Sequence, residues 1–534
     1  MVMKDENSGS KAVSGVSRRT LIKTGLAVGG LLALERAGWA AGASAAPTRG
    51  GHFRAGVGGA NTGDSLDPST FTDTFMISLS FAIRDNLVAV GADNNLEAGL
   101  AESWEANKNA TEWTFKVRRG VHFSNGKSLT TDDVIASINY HRGDKSKSGA
   151  SSLLERVKDI SAVGDDAVKF TLKFADVDFP FVLTDYHLNI LPSADGSVDW
   201  KSGAGTGPYK LESFEPGVSA KLSRSAEHWN SAVGFFDSIE LVAINDAATR
   251  QNALIYGEVD AISKPDLKLI SFLERNKDIQ IVDVPGRIWH CGIMRTDIAP
   301  FDNNDLRLAL KYSIDRKEYL QKVLKGYGTI GNDNPIGPAY LLHAADIAPR
   351  EYDLDKAKFH LNKAGYKQEE LKLLTCELFP GMNNAVELYQ QQAEKAGVNI
   401  KIETRPTDGW FTDVWLKEPF QWGWWGPRIT EDLMLSLTFL STAPWNDAKF
   451  KSPRLDELIN GARAELDEAK RREMYREAQL IISNEGGHVI PANANLVQAV
   501  NKKVLVPRDE SGKWKISASW EMDGGYFLKR WSFA

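Results

Sequence analysis

The chain has 534 residues and a mass of 58.9 kDa, enough for about three ordinary domains or two large lobes. Its hydrophobic share of 42% and charged share of 25% are those of a folded globular protein, which excludes bulk disorder. A formal net charge of -6 gives no reason to expect a nucleic acid as partner, and two cysteines cannot form a disulfide framework. The 15 tryptophans stand out, because Trp serves either core packing or recognition of a ligand through its ring face.

Residues 1–46 show the order of regions found in an export signal. Arg18 and Arg19 precede a short apolar run at 24–34, and small residues follow up to Ala46. The run is well below the roughly 20 residues that span a bilayer. The arginine pair predicts export by the twin-arginine (Tat) route and cleavage, so that the mature chain lies in the periplasm. The alternative is an amphipathic N-terminal helix.

The rest of the chain alternates strand and helix patterns. Residues 112–117 alternate apolar and polar side chains, as a strand does, and Thr130 with two following aspartates has the pattern of a helix N-terminus. Further predicted strands cover residues 167–174, 371–374 and 398–402, and further predicted helices cover 302–323, 353–364, 384–396 and 455–483. Gly365 predicts the end of the helix at 353–364. This alternation indicates an α/β fold.

Sequence motifs of catalysis are not found. The chain has no phosphate-binding glycine loop and no G-x-S-x-G elbow, and its nine histidines are scattered without metal-ligand spacing. His290 and Cys291 are adjacent, but neighbours on a strand point to opposite faces. We therefore expect a protein that is not an enzyme and has no cofactor. A Tat-exported cofactor enzyme stays open as an alternative, since that route often carries folded proteins.

Several motifs in order resemble the peptide, opine and nickel solute-binding proteins of bacterial ABC importers. They extend over nearly the whole mature chain and are Leu66-Asp67-Pro68, Leu100-Ala101-Glu102-Ser103-Trp104, Trp113-Thr114-Phe115, Leu129-Thr130-Thr131-Asp132-Asp133, Gly205-Thr206-Gly207-Pro208-Tyr209, Gly257-Glu258-Val259-Asp260, Leu306-Arg307-Leu308-Ala309-Leu310 and Pro335-Ile336-Gly337-Pro338. The predicted export agrees with such a receptor.

The resemblance implies a two-lobed periplasmic binding protein fold (type II, cluster C) with an extra subdomain in the first lobe. On this basis the first lobe covers residues 47–290, with the inserted subdomain at about 80–195, the second lobe covers 291–491, and residues 492–534 return to the first lobe. The implied function is capture of a small solute between the lobes and its delivery to the permease subunits of an ABC importer. We expect a monomer. Binding of an oligosaccharide, nickel or haem on the same fold is the alternative.

The densest run of aromatic residues lies at 420–432. In the peptide binders this region carries a G-W-x-x-D pattern whose aspartate pairs with the ligand's α-ammonium. Here the run reads Gly423-Trp424-Trp425-Gly426-Pro427, so that Pro427 stands in place of the aspartate. An unpaired buried ammonium is costly, which puts a peptide with a free amino terminus in doubt.

Arg428, with the opposite charge, follows at once, and arginine binds carboxylates through paired hydrogen bonds. We expect Trp424 or Trp425 to stack on a planar group and Arg428 to pair with an acid, as in an opine-like conjugate, a sugar acid or a blocked peptide. Alternatively Arg428 pairs with Glu431 or Asp432 and only shapes the loop.

Weaker candidates for ligand contact are Trp410, Trp422, His290, Cys291, Arg295 and Asn61. The family places the segment 289–295 along the cleft, and alternation lets only one of its faces reach the ligand. Cys291 and Cys376 both lie on predicted strands; export permits a disulfide between them, and buried free thiols are the alternative.

Overall fold

A large mixed β-sheet with helices on both faces organises the chain. The computed structural model describes residues 47–143, 146–379 and 381–534, so the predicted export signal lies outside the described residues. Within these described ranges, no helix combines the length and the hydrophobicity that a membrane-spanning segment requires.

The strands, in chain order, are β1 (His52–Val57), β2 (Val88–Val90), β3 (Leu96–Ala98), β4 (Ala101–Ala106), β5 (Glu112–Val117), β6 (Val157–Val163), β7 (Ala167–Leu172), β8 (Ser193–Ala194), β9 (Ser197–Val198), β10 (Tyr209–Glu215), β11 (Ser219–Arg224), β12 (Ser238–Ala243), β13 (Ala261–Ser263), β14 (Ile279–Met294), β15 (Gly328–Ile330), β16 (Leu371–Thr375), β17 (Ile400–Thr404), β18 (Phe420–Trp425), β19 (His488–Asn501), β20 (Val504–Leu505) and β21 (Ser532–Phe533). The α-helices are α1 (Thr74–Ile83), α2 (Thr131–Tyr140), α3 (Ser151–Leu154), α4 (Phe179–Val182), α5 (Ala247–Ile255), α6 (Ile270–Leu273), α7 (Asn304–Tyr312), α8 (Arg316–Lys322), α9 (Leu354–Ala364), α10 (Met382–Glu394), α11 (Glu431–Thr438), α12 (Pro453–Ala464), α13 (Glu468–Glu485), α14 (Glu521–Gly524) and α15 (Phe527–Arg530). Short 3-10 turns at Pro68–Thr70 and Leu267–Leu269 and a π-helical turn at Trp410–Val414 complete the regular structure.

Two long antiparallel strands hold the large sheet together. The sheet runs in the order β10-β11-β12-β1-β13-β19-β14-β18-β16-β17, and β15 adds to β19. The longest strands of this sheet are β14 and β19, which pair from Ile279 opposite Asn501 to Ile293 opposite His488. Two bulges interrupt the pairing, and bulges bend a strand and increase its twist. The paired strands β14 and β19 therefore connect the part of the chain before β14 with the part between them.

Apolar residues pack into separate cores. Phe53, Phe236 and Trp531 belong to the core of the first part of the chain and its C-terminal return. A second core lies under the four-stranded sheet β4-β5-β7-β6, within residues 87–190. Alternate residues of β18 supply two further cores: Trp422 enters the one with Tyr389, and Trp425 enters the one with Trp289. Alternation on a strand thus buries tryptophans on both faces of the sheet.

Several local predictions are confirmed. The strand at 112–117 is β5 with the predicted bounds. Thr130 caps α2 in a capping box with Asp133, whose carboxylate accepts a hydrogen bond from the Thr130 backbone amide at 2.9 Å. Gly365 ends α9 in the left-handed conformation at φ 71, which glycine adopts without steric cost.

One predicted helix is divided in the structure, and one predicted helical region consists of two helices. The single helix expected over 302–323 is α7 and α8, because Ser313 turns its hydroxyl back to the carbonyl of Leu310 and Asp315 caps a new helix. The region 455–483 is α12 and α13, and Asp467 caps the second of them. A side-chain oxygen that bonds free backbone amides favours a new start over a continuous helix. The strand expected to reach residue 174 ends at Leu172.

Candidate ligand-binding site

A cavity with aromatic walls opens beside the end of β18. Its volume is about 300 Å³, at the lower end of the range for small-molecule sites, roughly 300–1,000 Å³. The residues that line it come from β14, β18, the π-helical turn and the residue directly after it, and the loops after β16, β18 and α11: Ile293, Leu378, Trp410, Phe411, Trp415, Gln421, Gly423, Trp424, Trp425, Gly426, Arg428 and Trp445.

The tryptophans of this cavity contact one another and share a buried anchor. The rings of Trp415, Trp425 and Trp445 lie within 5.8–6.1 Å of each other, centroid to centroid. The Asp447 carboxylate, which is fully buried, accepts hydrogen bonds from the indole nitrogens of Trp425 at 3.0 Å and Trp415 at 3.3 Å. His488 lies 2.8 Å from its other oxygen. Asp447 therefore fixes the orientation of two cavity walls.

Arg428 is the one cation among the cavity residues. Its guanidinium donates a hydrogen bond to the backbone carbonyl of Pro427 at 2.8 Å. The central carbon of the guanidinium, Cζ, lies 5.9 Å from the Trp425 ring centroid and 5.8 Å from that of Trp445. Burial lowers the pKa of Arg428, yet arginine stays protonated in proteins. Among the described residues no carboxylate lies within 4 Å of this guanidinium.

The two acids proposed as alternative partners of Arg428 are engaged elsewhere. Glu431 accepts a hydrogen bond from the backbone amide of Leu342 at 2.6 Å, and Asp432 forms an ion pair with Arg463 at 3.0 Å. The structure thus shows no ion pair of Arg428 with Glu431 or Asp432. Its hydrogen bond to the Pro427 carbonyl does stabilise the conformation of the loop.

Arg287, which was not expected at the site, supports the loop that carries Arg428. It is 2% exposed, donates to the carbonyl of Ile429 at 2.8 Å and lies 4.9 Å from the Tyr340 ring centroid. Ile429 in turn packs against a cluster that includes Ile77 and Tyr526. The loop after β18 therefore contacts the first part of the chain and its C-terminal return.

Gln421 and Gly423 lie on the face of β18 that borders the cavity. Gln421 is 1% exposed, and neither its amide nitrogen nor its amide oxygen has a hydrogen-bond partner among the described residues. Gly423 has ordinary backbone geometry, and a Cβ there would lie 3.7 Å from the Ile293 side chain. Gly423 therefore leaves open part of the space above the strand.

The sequence candidates divide into three groups: cavity residues, core residues and residues apart from both. Trp410, Trp424, Trp425 and Arg428 all line the cavity. Trp422 is fully buried on the other face of β18, with its ring 5.2 Å from that of Tyr389. Its place in the core follows from the strand alternation.

The two adjacent candidates on β14 are both buried. His290 stacks on Phe379 at 4.0 Å and contacts the Tyr319 hydroxyl at 3.0 Å; burial lowers its pKa to about 3, so the ring is neutral. Cys291 lies on the opposite face, as expected, in the core around Trp289. It is a free thiol, as is Cys376.

Arg295 and Asn61 lie apart from the cavity. Arg295 forms an ion pair with Asp297 at 2.7 Å and donates to the Lys417 carbonyl at 2.7 Å. Asn61 is exposed and donates to Asp64 at 2.6 Å, within its own loop. The structure therefore groups four of the nine candidates around one cavity.

Sequence reasoning missed Trp415, Phe411, Trp445 and Gln421. The tryptophans carried a signal, since they continue the aromatic excess that surrounds 410–425. Gln421 had a weaker sequence signal, because it is an amide in the strand Phe420–Trp425, whose other residues apart from Gly423 are aromatic. Asp447, which orients the ring walls, had no signal in the sequence, because its partners come from three separate segments.

Comparison with known proteins places the chain in a family. Residues 95–447 match the model described as bacterial extracellular solute-binding proteins, family 5 Middle. The heme-binding protein A of Haemophilus influenzae is 26% identical over 432 residues, which cover 73% of this chain and 78% of that protein. The dipeptide-binding protein of Escherichia coli is 25% identical over 454 residues, which cover 76% and 82%.

A solved structure shows the same fold. The structure of HbpA2 from Haemophilus parasuis superposes with a TM-score of 0.77 at 21% identity, covering 88% of this chain and 99% of that one. The chain belongs to the family 5 extracellular solute-binding proteins and has their two-lobed α/β fold. It is thus a solute-binding protein and not an enzyme. The part of the chain that the structure describes contains no group of three metal-ligating side chains.

Proposed function

We propose that this protein is the periplasmic receptor of an ABC importer for a compact acidic solute, either peptide-like with a blocked amino terminus or opine-like. In this proposal the Tat signal at 1–46 is removed after export. The receptor, a monomer without a cofactor, closes its lobes on the solute and delivers it to the permease. The lobes are those expected from the resemblance, 47–290 with 492–534 and 291–491.

The observation that carries the proposal is Arg428. Its guanidinium lies at an aromatic cavity with no carboxylate in ion-pair range among the described residues. Family resemblance places an aspartate for the ligand's ammonium one position earlier, where this chain has Pro427. The sign of the charge offered to the ligand is therefore reversed. A carboxylate is the group that complements a guanidinium best, through two parallel hydrogen bonds.

The side chains that line the cavity narrow the range of possible ligands further. Trp424 and Trp445 line the cavity and are 39% and 40% exposed, and indole rings favour planar or apolar groups. A volume of about 300 Å³ favours a solute of two or three residues in size over haem or a long oligosaccharide. The heme-binding relative keeps haem as the second candidate, and nickel and oligosaccharide binding are the remaining alternatives.

Native mass spectrometry of the freshly purified protein tests the proposal. We expect a copurified organic acid below about 500 Da, bound by the wild type and lost from Arg428→Gln. The control is Arg454→Gln, which removes an exposed arginine paired with Glu477 on α13 and retains the acid. A bound peptide with a free amino terminus, a haem or a metal ion would contradict the proposal.

A further inference from the structure

We propose that Gln421 recognises an amide or lactam group at the end of the ligand that lies away from its carboxylate. This inference rests on the proposed function, since it adds a second contact within the same cavity. The relationship that carries it is the placement of an unpaired amide side chain on β18, at the wall of a cavity whose charged residue is Arg428.

A buried primary amide without partners is costly, because it has given up its bonds to water. Gln421 is 1% exposed and both of its polar side-chain atoms lack partners among the described residues. Its backbone position is fixed by pairing with Ile293 on β14 and Leu374 on β16. A ligand that supplies one donor and one acceptor side by side satisfies both atoms at once.

The chemistry of that ligand group follows from the amide itself. A glutamine side chain offers N–H and C=O in one plane, and its complement is another planar unit with the same two groups reversed. Primary carboxamides, secondary lactams and cis amides have this arrangement. A carboxylate does not, because it can only accept.

The separation of Gln421 and Trp425 along β18 gives the approximate length of the ligand. Gln421 and Trp425 are four residues apart, about 13 Å along a strand, and Arg428 turns its guanidinium back to 5.9 Å from the Trp425 ring centroid. An acid that reaches both contacts spans on the order of 10 Å, the length of two to three extended residues. Tryptophans line the same cavity as both of these polar residues.

Together these features define a class of ligand: a small acid with a carboxylate at one end, an amide or lactam at the other and an apolar body between them. A dipeptide whose amino terminus is closed into a lactam, as in a pyroglutamyl dipeptide, has this form. It also lacks the ammonium for which the chain has no aspartate at Pro427.

A matched pair of probes tests the inference: pyroglutamyl-alanine and its carbocyclic analogue, cyclopentanecarbonyl-alanine, which keeps the shape and the carboxylate and lacks the lactam. By calorimetry we expect the wild type to bind the lactam compound at least about tenfold more tightly, because the lactam makes two hydrogen bonds to the amide and each net bond gives a factor of roughly two to ten. In Gln421→Leu this ratio falls to about one, while the carbocyclic compound binds as tightly as before. Gln421→Leu also stays folded in urea titrations, because it removes a buried polar group.

The outcomes separate this inference from the proposed function. If the wild type binds both compounds equally and Arg428→Gln binds neither, the acidic ligand stands and the role of Gln421 is overturned. If the ratio persists in Gln421→Leu, another residue recognises the lactam and the inference is again overturned. If the wild type binds neither compound, while native mass spectrometry finds an acid without an amide, the inference fails and the proposed function survives.

Discussion

The indole nitrogen of Trp425 donates a 3.0 Å hydrogen bond to the carboxylate of Asp447. The same carboxylate accepts from Trp415 and lies 2.8 Å from His488, a residue that is also fully buried. This one carboxylate thus joins Trp415, which directly follows the π-helical turn, to β18 and β19. The aromatic walls are held by polar contacts as well as by packing.

Two substitutions of Asp447 distinguish the role of its acceptor oxygens from the role of its negative charge. Asp447→Ala leaves two indole donors and a histidine without a partner in a buried site, and we expect a loss of about 3–5 kcal/mol in the free energy of unfolding. Asp447→Asn keeps an acceptor oxygen and should lose about 1–2 kcal/mol. Urea unfolding measures both, and near-UV circular dichroism follows the tryptophans. Equal stability of Asp447→Ala and wild type would show that the contacts carry no net energy.

Filling the cavity from β18 should abolish binding without unfolding the protein. The Cβ of an alanine at Gly423 finds only Ile293 at 3.7 Å, an ordinary contact, so Gly423→Ala should fold and still bind. Gly423→Leu places three more carbons in the cavity, and we expect at least a hundredfold loss of affinity for the copurified acid. Calorimetry measures the affinity and thermal unfolding the stability. Tight binding by Gly423→Leu would place the ligand in another part of the molecule.

Strand periodicity predicted part of this site and could not supply the rest. Alternation requires that Trp422 and Trp425 face opposite sides of β18, but sequence does not say which side borders a cavity. His290 and Cys291 show the same limit: their opposite orientation was predictable, and the burial of both was not. Asp447 and Gln421 depend on contacts between distant segments, which no local pattern encodes. Helix ends were visible in principle, since Asp315 and Asp467 are ordinary capping residues.

A buried lysine in the second half of the chain should make stability depend on pH. Lys311 donates to the carbonyls of Ser483 and Gly486 at 2.8 Å, and burial lowers its pKa to about 7. Its charged neighbours are Asp333, Arg307, Arg316 and Arg350.

Above pH 7 the folded protein holds this amine neutral while the unfolded chain still binds the proton, up to a pKa of about 10.4. Stability therefore rises with pH in this window, by about 1.4 kcal/mol per pH unit for one proton. Lys311→Met should remove this slope between pH 7.5 and 9 in urea unfolding. Lys317→Met, which removes an exposed lysine paired with Glu351, should keep it. The same slope in both variants would contradict the assignment to Lys311.

Contacts of the residues at the start of α4 with α12 and α13 should hold the closed arrangement in which the ligand is enclosed. Asp178, which is 4% exposed, forms an ion pair with Arg471, and the backbone amide of Val177 donates to the carbonyl of Arg463 at 2.9 Å. We place these segments in opposite lobes, so that opening breaks every one of these contacts. A contact present only in the closed state slows release of the ligand.

Arg471→Gln should therefore raise the dissociation rate of the copurified acid about tenfold. Stopped-flow tryptophan fluorescence measures this rate, and the radius of gyration of the ligand-free protein should increase in solution scattering. Asp178→Asn combined with Arg471→Gln avoids leaving one buried charge unpaired and should show the same direction with less loss of stability. Arg454→Gln, which breaks an exposed pair between α12 and α13, is the control and should release the acid at the wild-type rate. An unchanged rate in both Arg471 variants would show that α4 and α13 stay in contact when the ligand leaves.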